Sequence, residues 1–539
     1  MSNTSREKRA LISVFHKERI EEFAKALVEE GYEIVSSGGT AKYLGEHGVS
    51  VVDVAEITGA PAILGHRVVT LDPKIHGGLL ATATKEHDTE RAEHGIPWFE
   101  LVCVDLYPLA EAIKAGKTDA EVTEMIDIGG PTMISGAAKG GRIVVCDPLD
   151  RERVIAWIKD GEPEGAAFRQ QLAAKADFVV SSYRLLTAKH FSNGQYEGIT
   201  GVRVAEAKGE NASQSPAGLY SAGTDDPLAL DTFNMIEGAA LSYNNWCDVD
   251  RSLKTLVAMV AGYQALGKDD AKVIIGVKHG NPCGVGVRFG DDTTGAATAL
   301  VDGDPLSLFG GLVIANFPIT KAEAKVLAEH QKGDAPKRIL DAVVAPSFTS
   351  EAFEILGRKN GACRFLENPA LGDERLRPTS DARMLRPVRG GFLAQGEYEY
   401  ILDWDDPDLA TTAELSEGQK NDIVMAWAIG SRSNSNTITI VKDGMLLGNG
   451  TGQQSRVDAA KLAIARATDR GHGLAGAVAY SDSFFPFPDG PLTLTDAGIT
   501  TIFATSGSVN DETVAEAVKE AGATLVTIPD SSARGFFGH

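Results

Sequence analysis

The sequence is short of cysteine, of aromatic side chains and of positive charge, and it has no long apolar run. Five cysteines, Cys103, Cys146, Cys247, Cys283 and Cys363, are scattered over 539 residues without a CxxC pair. That usage excludes a disulfide framework and a zinc knuckle, and it predicts a protein of the reducing cytoplasm. The 52 Lys and Arg are outnumbered by 74 Asp and Glu, leaving a net charge of −22. A field of that sign repels phosphate backbones and anionic lipid, so neither nucleic acid nor membrane is an expected partner. No stretch approaches the roughly 20 apolar residues of a membrane span, and the apolar tail after the basic amino-terminal segment is too short for a secretory signal.

What is present is enough apolar chain, 43% of residues, for several cores, and at roughly 150 residues each the length suggests two to four domains. The first part alternates short β-rich runs with amphipathic helices, the grammar of a parallel sheet covered on both faces. Strands are predicted over 10–15, 33–37, 51–54, 101–106 and 142–146. Between the first two, Ile20, Phe23, Ala24 and Leu27 share one helical stripe that Gly31 ends. A helix over 40–46 and a helix-rich stretch to about 193 complete this region. Residues 196–227 turn polar and small, which reads as a connection and puts a boundary near 200. Beyond it, 272–277, 312–316, 342–345, 499–505 and 524–528 are strand-like, and a charged, Pro-interrupted stretch over 367–420 divides this larger part in two.

Three segments of the first domain carry anion chemistry. Ser36-Ser37-Gly38-Gly39-Thr40 stands between strand and helix, where unpaired N–H groups, the helix dipole and hydroxyls converge; Thr40 can serve as N-cap. Asp127-Ile128-Gly129-Gly130-Pro131-Thr132 again opens a helix, with Pro131 at its first turn and Lys139 further along. Between them runs Arg67-Val68-Val69-Thr70-Leu71-Asp72-Pro73-Lys74-Ile75-His76-Gly77-Gly78. Each alone also reads as an ordinary turn or a solvated ion pair. Gathered in so acidic a chain, they point to an anionic small molecule.

SGGTAK (37–42), RVVTLDPKIHGG (67–78), DLYPL (105–109) and IDIGGPTMISGAAK (126–139) together resemble the IMP cyclohydrolase domain of the bifunctional purine-biosynthesis family, whose fold is methylglyoxal-synthase-like. In the second part Lys278-His279-Gly280-Asn281-Pro282-Cys283-Gly284 follows a strand. A His titrating near neutrality can move a proton, and an adjacent ammonium can stabilise developing negative charge. Pro282-Cys283 beside His279 hints at a zinc deaminase, but Asn281 and Gly286 stand where that mechanism needs Glu and Cys, so no zinc is expected. LSYNN (241–245), VKHGNPCG (277–284), FGG (309–311), RGGFLAQ (389–395), GQQSR (452–456), SDSFFPF (481–487) and His539 resemble the AICAR transformylase part of the same family.

The resemblance implies an IMP cyclohydrolase domain over 1–200 and a transformylase domain over 201–539 made of two cytidine-deaminase-like α/β subdomains without zinc, working as a homodimer with transformylase sites at the subunit interface. It implies formyl transfer from 10-formyltetrahydrofolate to AICAR, then dehydrative closure to IMP; any need for a monovalent cation stays open. By the same resemblance His279 moves the proton, Lys278 tunes the site and Asn436 donates a hydrogen bond near the reacting centre. Phe309, Gly310, Asp341, Arg456 and His539 contact AICAR, and Pro486, Phe487 and Asp489 line the folate pocket. Lys139, Asp127 and Tyr107 match the cyclohydrolase catalytic positions, with Ser13, Lys17, Ser37, Gly38, Gly39, Thr40, Arg67, Thr70, Gly129 and Gly130 around the nucleotide.

The chain departs from the family at Val69, where a Lys is usual, at AKGENASQ (207–214) in place of RYGENPHQ, and at Ser431, where a Lys is usual and Arg432 is the neighbouring substitute. These changes cluster on anion binding. They keep a second reading open, in which the first domain only binds a nucleotide and the second alone catalyses. A third, methylglyoxal synthase chemistry, rests on the fold alone.

Overall fold

The computed structural model describes residues 6–65, 67–373, 375–378 and 383–538, so the predicted contact His539 lies outside the described residues. The chain divides into two compact units, Met1–Thr200 and Gly201–His539.

The first unit holds a five-stranded sheet. In spatial order its strands are Val51–Asp53, Glu33–Ser36, Arg9–Ser13, Leu101–Val104 and Ile143–Val145, and every pairing is parallel. Both faces are buried, as a parallel sheet requires: Ala10, Ile12 and Ile34 enter one core, Leu11, Val35 and Val102 the other. The chain leaves the central strand Arg9–Ser13 first towards one edge and then towards the other. The carboxyl end of that strand is therefore a topological switch point, where open α/β sheets leave a crevice for ligands. Strand one ends at Ser13 rather than residue 15, because the chain turns there to meet Asp105 and Thr40.

The second unit is built on one continuous twelve-stranded sheet. From one edge it runs through Asn234–Glu237, Arg364–Glu367, Ala342–Ala345, Leu312–Ala315, Lys272–Lys278 and Asn281–Arg288. It continues through Met445–Gly450, Ile438–Lys442, Val478–Ser481, Thr501–Ser506, Thr524–Pro529 and Ala410–Thr411. Read inward from either edge, the pairings follow one series: antiparallel, parallel, parallel, antiparallel, antiparallel. The innermost strands of the two series meet antiparallel at Gly286 and Met445. Equivalent helices, Tyr243–Ala265 and Glu417–Gly430, precede each central hairpin and pack on each other. The unit is thus a fold repeated about an approximate two-fold, with one sheet shared by both copies.

Glycine makes the repeat close. Gly286 and Gly450 let helices Thr293–Gly303 and Arg456–Asp469 lie against the strands: a Cβ at either position would fall 2.0 Å from the Ala296 carbonyl oxygen or 2.1 Å from that of Ala459. The polar stretch read as a connection is not structureless. It contains the hairpin Val202–Ala207 with Ala217–Ser221, and a second isolated hairpin, Arg383–Val388 with Gly391–Gly396, lies between the two sheet halves in sequence. Among the described residues no helix is long and apolar enough to cross a membrane.

Candidate active sites

In the first unit the predicted residues gather at the switch point. Ser37 is the N-cap of helix Gly38–Glu46, and Gly38 takes a φ of 54° that a β-carbon would strain. Thr40 is not the cap: it lies inside the helix, buried, with its hydroxyl donating to the Val14 carbonyl at 2.9 Å and accepting from Lys17 Nζ at 3.1 Å. These bonds fasten the helix start to the end of the central strand, beside Ser13. Burial pulls the Lys17 ammonium below its usual range, against the pull of Asp105.

Asp105 is a site residue that sequence reasoning missed although DLYPL contains it. It accepts the backbone N–H groups of Phe15 and His16, and burial raises its carboxyl. Asp127 is raised as well, by burial first, although it accepts the Gly130 N–H at 2.8 Å. The Tyr107 hydroxyl is raised by burial and by the Asp127 charge. Thr70 is buried against Gly129, whose added Cβ would sit 3.0 Å from the threonine hydroxyl. Lys17, Thr40, Asp105, Tyr107, Asp127, Thr70, Gly129 and Gly130 therefore form one neighbourhood of donors with two protonation-prone carboxyls.

Arg67 is exposed and ion-paired with Glu124, also exposed. Lys139 ends helix Gly129–Lys139, whose start is at the site, so the helix carries it about 15 Å along the axis at 1.5 Å per residue.

In the second unit Lys278 ends a strand and Asn281 begins the next, so His279 and Gly280 form a two-residue turn with φ of 54° and 72°. Both angles positive is the geometry that matches hairpin twist, and it projects the imidazole from the sheet end. Lys278 Nζ donates to the Phe309 carbonyl at 2.8 Å. A cavity of about 240 Å³ opens here, lined by Lys278, His279, Gly310 and Asp341, with Ser242, Asn244, Asn245, Asp248, Leu312 and Arg364. Asp341 is held by Arg358 at 2.9 Å. Asp248 and Arg364 were not predicted; on sequence alone an acid in a helix and an arginine at a strand start look like surface.

The turn is tied to the Asn434–Asn436 segment. The Asn281 side chain accepts the Asn434 N–H at 3.0 Å, and Arg251, another residue sequence reasoning missed, donates to the Asn434 carbonyl oxygen of the side chain at 3.0 Å while stacking over Phe537. The Asn436 amide nitrogen donates to Gln453 and Gln454 carbonyls at 2.9 and 3.2 Å. Both bonds go to backbone carbonyls. Arg456 pairs with Asp482 at 3.1 Å, and Asp482 also accepts from Ser435 Oγ at 2.5 Å. Burial raises the Asp482 carboxyl despite both partners. Phe487, Pro486 and Asp489 are exposed on the loop that opens helix Asp489–Asp496, and Phe309 is half-exposed. Among the described residues no group of three or more His, Cys, Asp and Glu could hold a metal ion.

A donor cradle at a parallel-sheet switch point and a Lys-His hairpin over a polar cavity define a two-centre α/β enzyme for anionic small molecules. A family profile described as AICARFT/IMPCHase bienzyme matches residues 137–466, and an MGS-like domain profile matches residues 19–132. The bifunctional purine biosynthesis protein PurH of Bacillus mycoides is 37% identical over 540 residues, covering 98% of this chain and 99% of that one. PurH of Bacillus cereus is 38% identical over 516 residues, covering 94% and 95%, and that of Bacillus cytotoxicus 37% over 530, covering 96% and 98%. A crystal structure of ForH shares 32% identity, covers 35% of this chain and 100% of its own, and superposes with a TM-score of 0.31. This chain belongs to the AICARFT/IMPCHase bienzyme family.

Proposed function

We propose that this chain performs two consecutive steps of purine synthesis, formyl transfer from 10-formyltetrahydrofolate to AICAR and dehydrative closure of formyl-AICAR to IMP. The observation that carries the first step is the cavity shared by Lys278, His279, Gly310 and Asp341. The AICAR amine attacks the formyl carbon, a C–N bond forms, and the bond to the folate nitrogen breaks as that nitrogen takes up a proton. His279 removes the amine proton, and the Lys278 ammonium, anchored at Phe309, lies where negative charge develops. Gly310 and Asp341 hold the ribotide, with Arg456 as a further contact.

Closure belongs to the first unit. The carboxamide nitrogen attacks the formyl carbon and water leaves, so one group must take a proton and another give one to the departing oxygen. Burial strengthens the hold of both Asp127 and Tyr107 on a proton, so the Asp127 carboxylate is the stronger base that takes the carboxamide proton and the Tyr107 hydroxyl keeps the proton it gives to the departing oxygen. The turn at Ser37, Gly38 and Gly39, with Lys17, Thr40, Thr70, Gly129 and Gly130, cradles the phosphate. Given synthetic formyl-AICAR and no folate, the purified protein is expected to form IMP. Binding without turnover would instead support a nucleotide-binding module, the reading that Val69 favours.

The functional form is a homodimer. The two hairpins outside the large sheet expose Val202, Val204, Tyr220, Phe392 and Leu393, and edge strand Asn234–Glu237 exposes Met235 and Ile236; a two-stranded hairpin with so much apolar surface in water is marginal. A second copy is the occupant that covers them and brings a folate loop, Pro486 to Asp489, to each cavity. Light scattering is expected to give twice the 57.0 kDa chain mass; Phe392→Asp with Leu393→Asp should yield monomers that keep closure and lose formyl transfer. The two sheet halves are cytidine-deaminase-like subdomains by this reading, and five free thiols suit the cytoplasm.

A further inference from the structure

The repeat in the second unit supplies an internal control for the transferase site. Lys278-His279-Gly280-Asn281 has its counterpart in Lys442-Asp443-Gly444-Met445 at the equivalent hairpin. Asp443 and Gly444 take φ of 52° and 67°, close to those of His279 and Gly280. Lys442 Nζ donates to the Ala475 carbonyl at 2.9 Å, as Lys278 Nζ does to that of Phe309. Each turn is also gripped by an aspartate on the second turn of the preceding helix, Asp248 in one copy and Asp422 in the other.

The two aspartates differ in one respect. Asp422 uses both oxygens on its turn, Oδ2 accepting the Asp443 N–H and Oδ1 the Gly444 N–H, each at 2.9 Å. Asp248 accepts only the Gly280 N–H, on Oδ1 at 2.7 Å. Its Oδ2 has no described bond to the turn, while its carboxylate faces the cavity next to His279. Where the fold alone is served, both oxygens are committed to backbone. Where a His occupies the turn, one is not.

We infer that Asp248 is a positioning residue for formyl transfer: Oδ1 holds the turn, and Oδ2 receives one imidazole N–H of His279, so that the other ring nitrogen faces the substrate amine. A carboxylate in that role fixes the tautomer and ring angle and raises basicity. Burial raises the Asp248 carboxyl and the nearby His279 opposes that shift, which is consistent with the two groups acting on each other.

The inference rests on the proposed formyl transfer, and its test separates the two. Asp248→Asn keeps an acceptor for Gly280 and should melt like the wild type, while kcat for formyl transfer falls by about ten- to a hundredfold, with KM for AICAR within about twofold. Asp422→Asn should do the reverse, melting lower with kcat unchanged. Adding Asp248→Asn to a His279→Asn background should cost nothing further. Independently of turnover, the His279 ring shifts in NMR should move on Asp248→Asn. Unmoved shifts, a kcat within about threefold of wild type, or full additivity in the double variant would each overturn the assignment. A wild type without transferase activity whose His279 shifts still respond would sink the reaction and keep the contact.

Discussion

Replacing His279 by Asn is expected to lower kcat for formyl transfer by about a thousandfold, some 4 kcal/mol of barrier, while closure of formyl-AICAR stays within about twofold. Asparagine is the informative choice. Position 279 sits in the left-handed region at φ 54°, where a residue other than Gly, Asn or Asp is strained, and Asp443 shows that a short polar side chain holds the equivalent turn. The backbone should therefore survive and only the imidazole be lost. Rapid quench with labelled formyl donor measures the first step, and absorbance of IMP formed from formyl-AICAR the second. Equal loss of both activities would remove the assignment of the two steps to separate units.

Gly286→Val is expected to have the largest effect on stability. Its new β-carbon would meet the Ala296 carbonyl at 2.0 Å and the Leu300 nitrogen at 2.8 Å, and both are backbone of a helix that cannot yield locally. Overpacking of this kind costs about 3 kcal/mol or more, which lowers Tm by roughly 4 °C or more in a unit of this size. Helix Thr293–Gly303 must lift from the strands on which the His279 hairpin is built, so transferase activity should fall with stability. Gly418→Ala is the contrast: its added carbon meets nothing within 4 Å, and in a helix alanine is favoured by up to about 1 kcal/mol. Calorimetry of the two variants checks both. An unchanged Tm in Gly286→Val would mean that strand and helix are not in contact.

The parallel sheet of the first unit was legible because each apolar run is followed by a helical stripe with its own stop. The His279 turn was legible too, since the apolar run ends abruptly at a Lys-His-Gly-Asn sequence. Thr40 was misplaced because a Ser-Ser-Gly-Gly-Thr run offers several caps, and only the third dimension shows that its hydroxyl is engaged by Val14 and Lys17. Asp105, Asp248 and Arg251 were missed for one reason: each gains its meaning from a segment remote in sequence, respectively residues 15–16, 280 and 434. The repeat was invisible because the two copies share little beyond a Lys-x-Gly turn, an aspartate in the helix before it, and glycines where helix meets strand. Those residues serve the backbone, and the remaining side chains have diverged.

Two equivalent strands meeting edge to edge at Gly286 and Met445 are what results when a symmetric pair becomes one polypeptide. Such a fusion frees its halves from equal duty. One copy keeps the imidazole that the proposed formyl transfer uses, while the other, with Asp443 in the matching slot, is held only to its shape. Sequence drift should accordingly be lopsided, tight around residue 279 and loose around residue 443, although the two turns trace the same path in space.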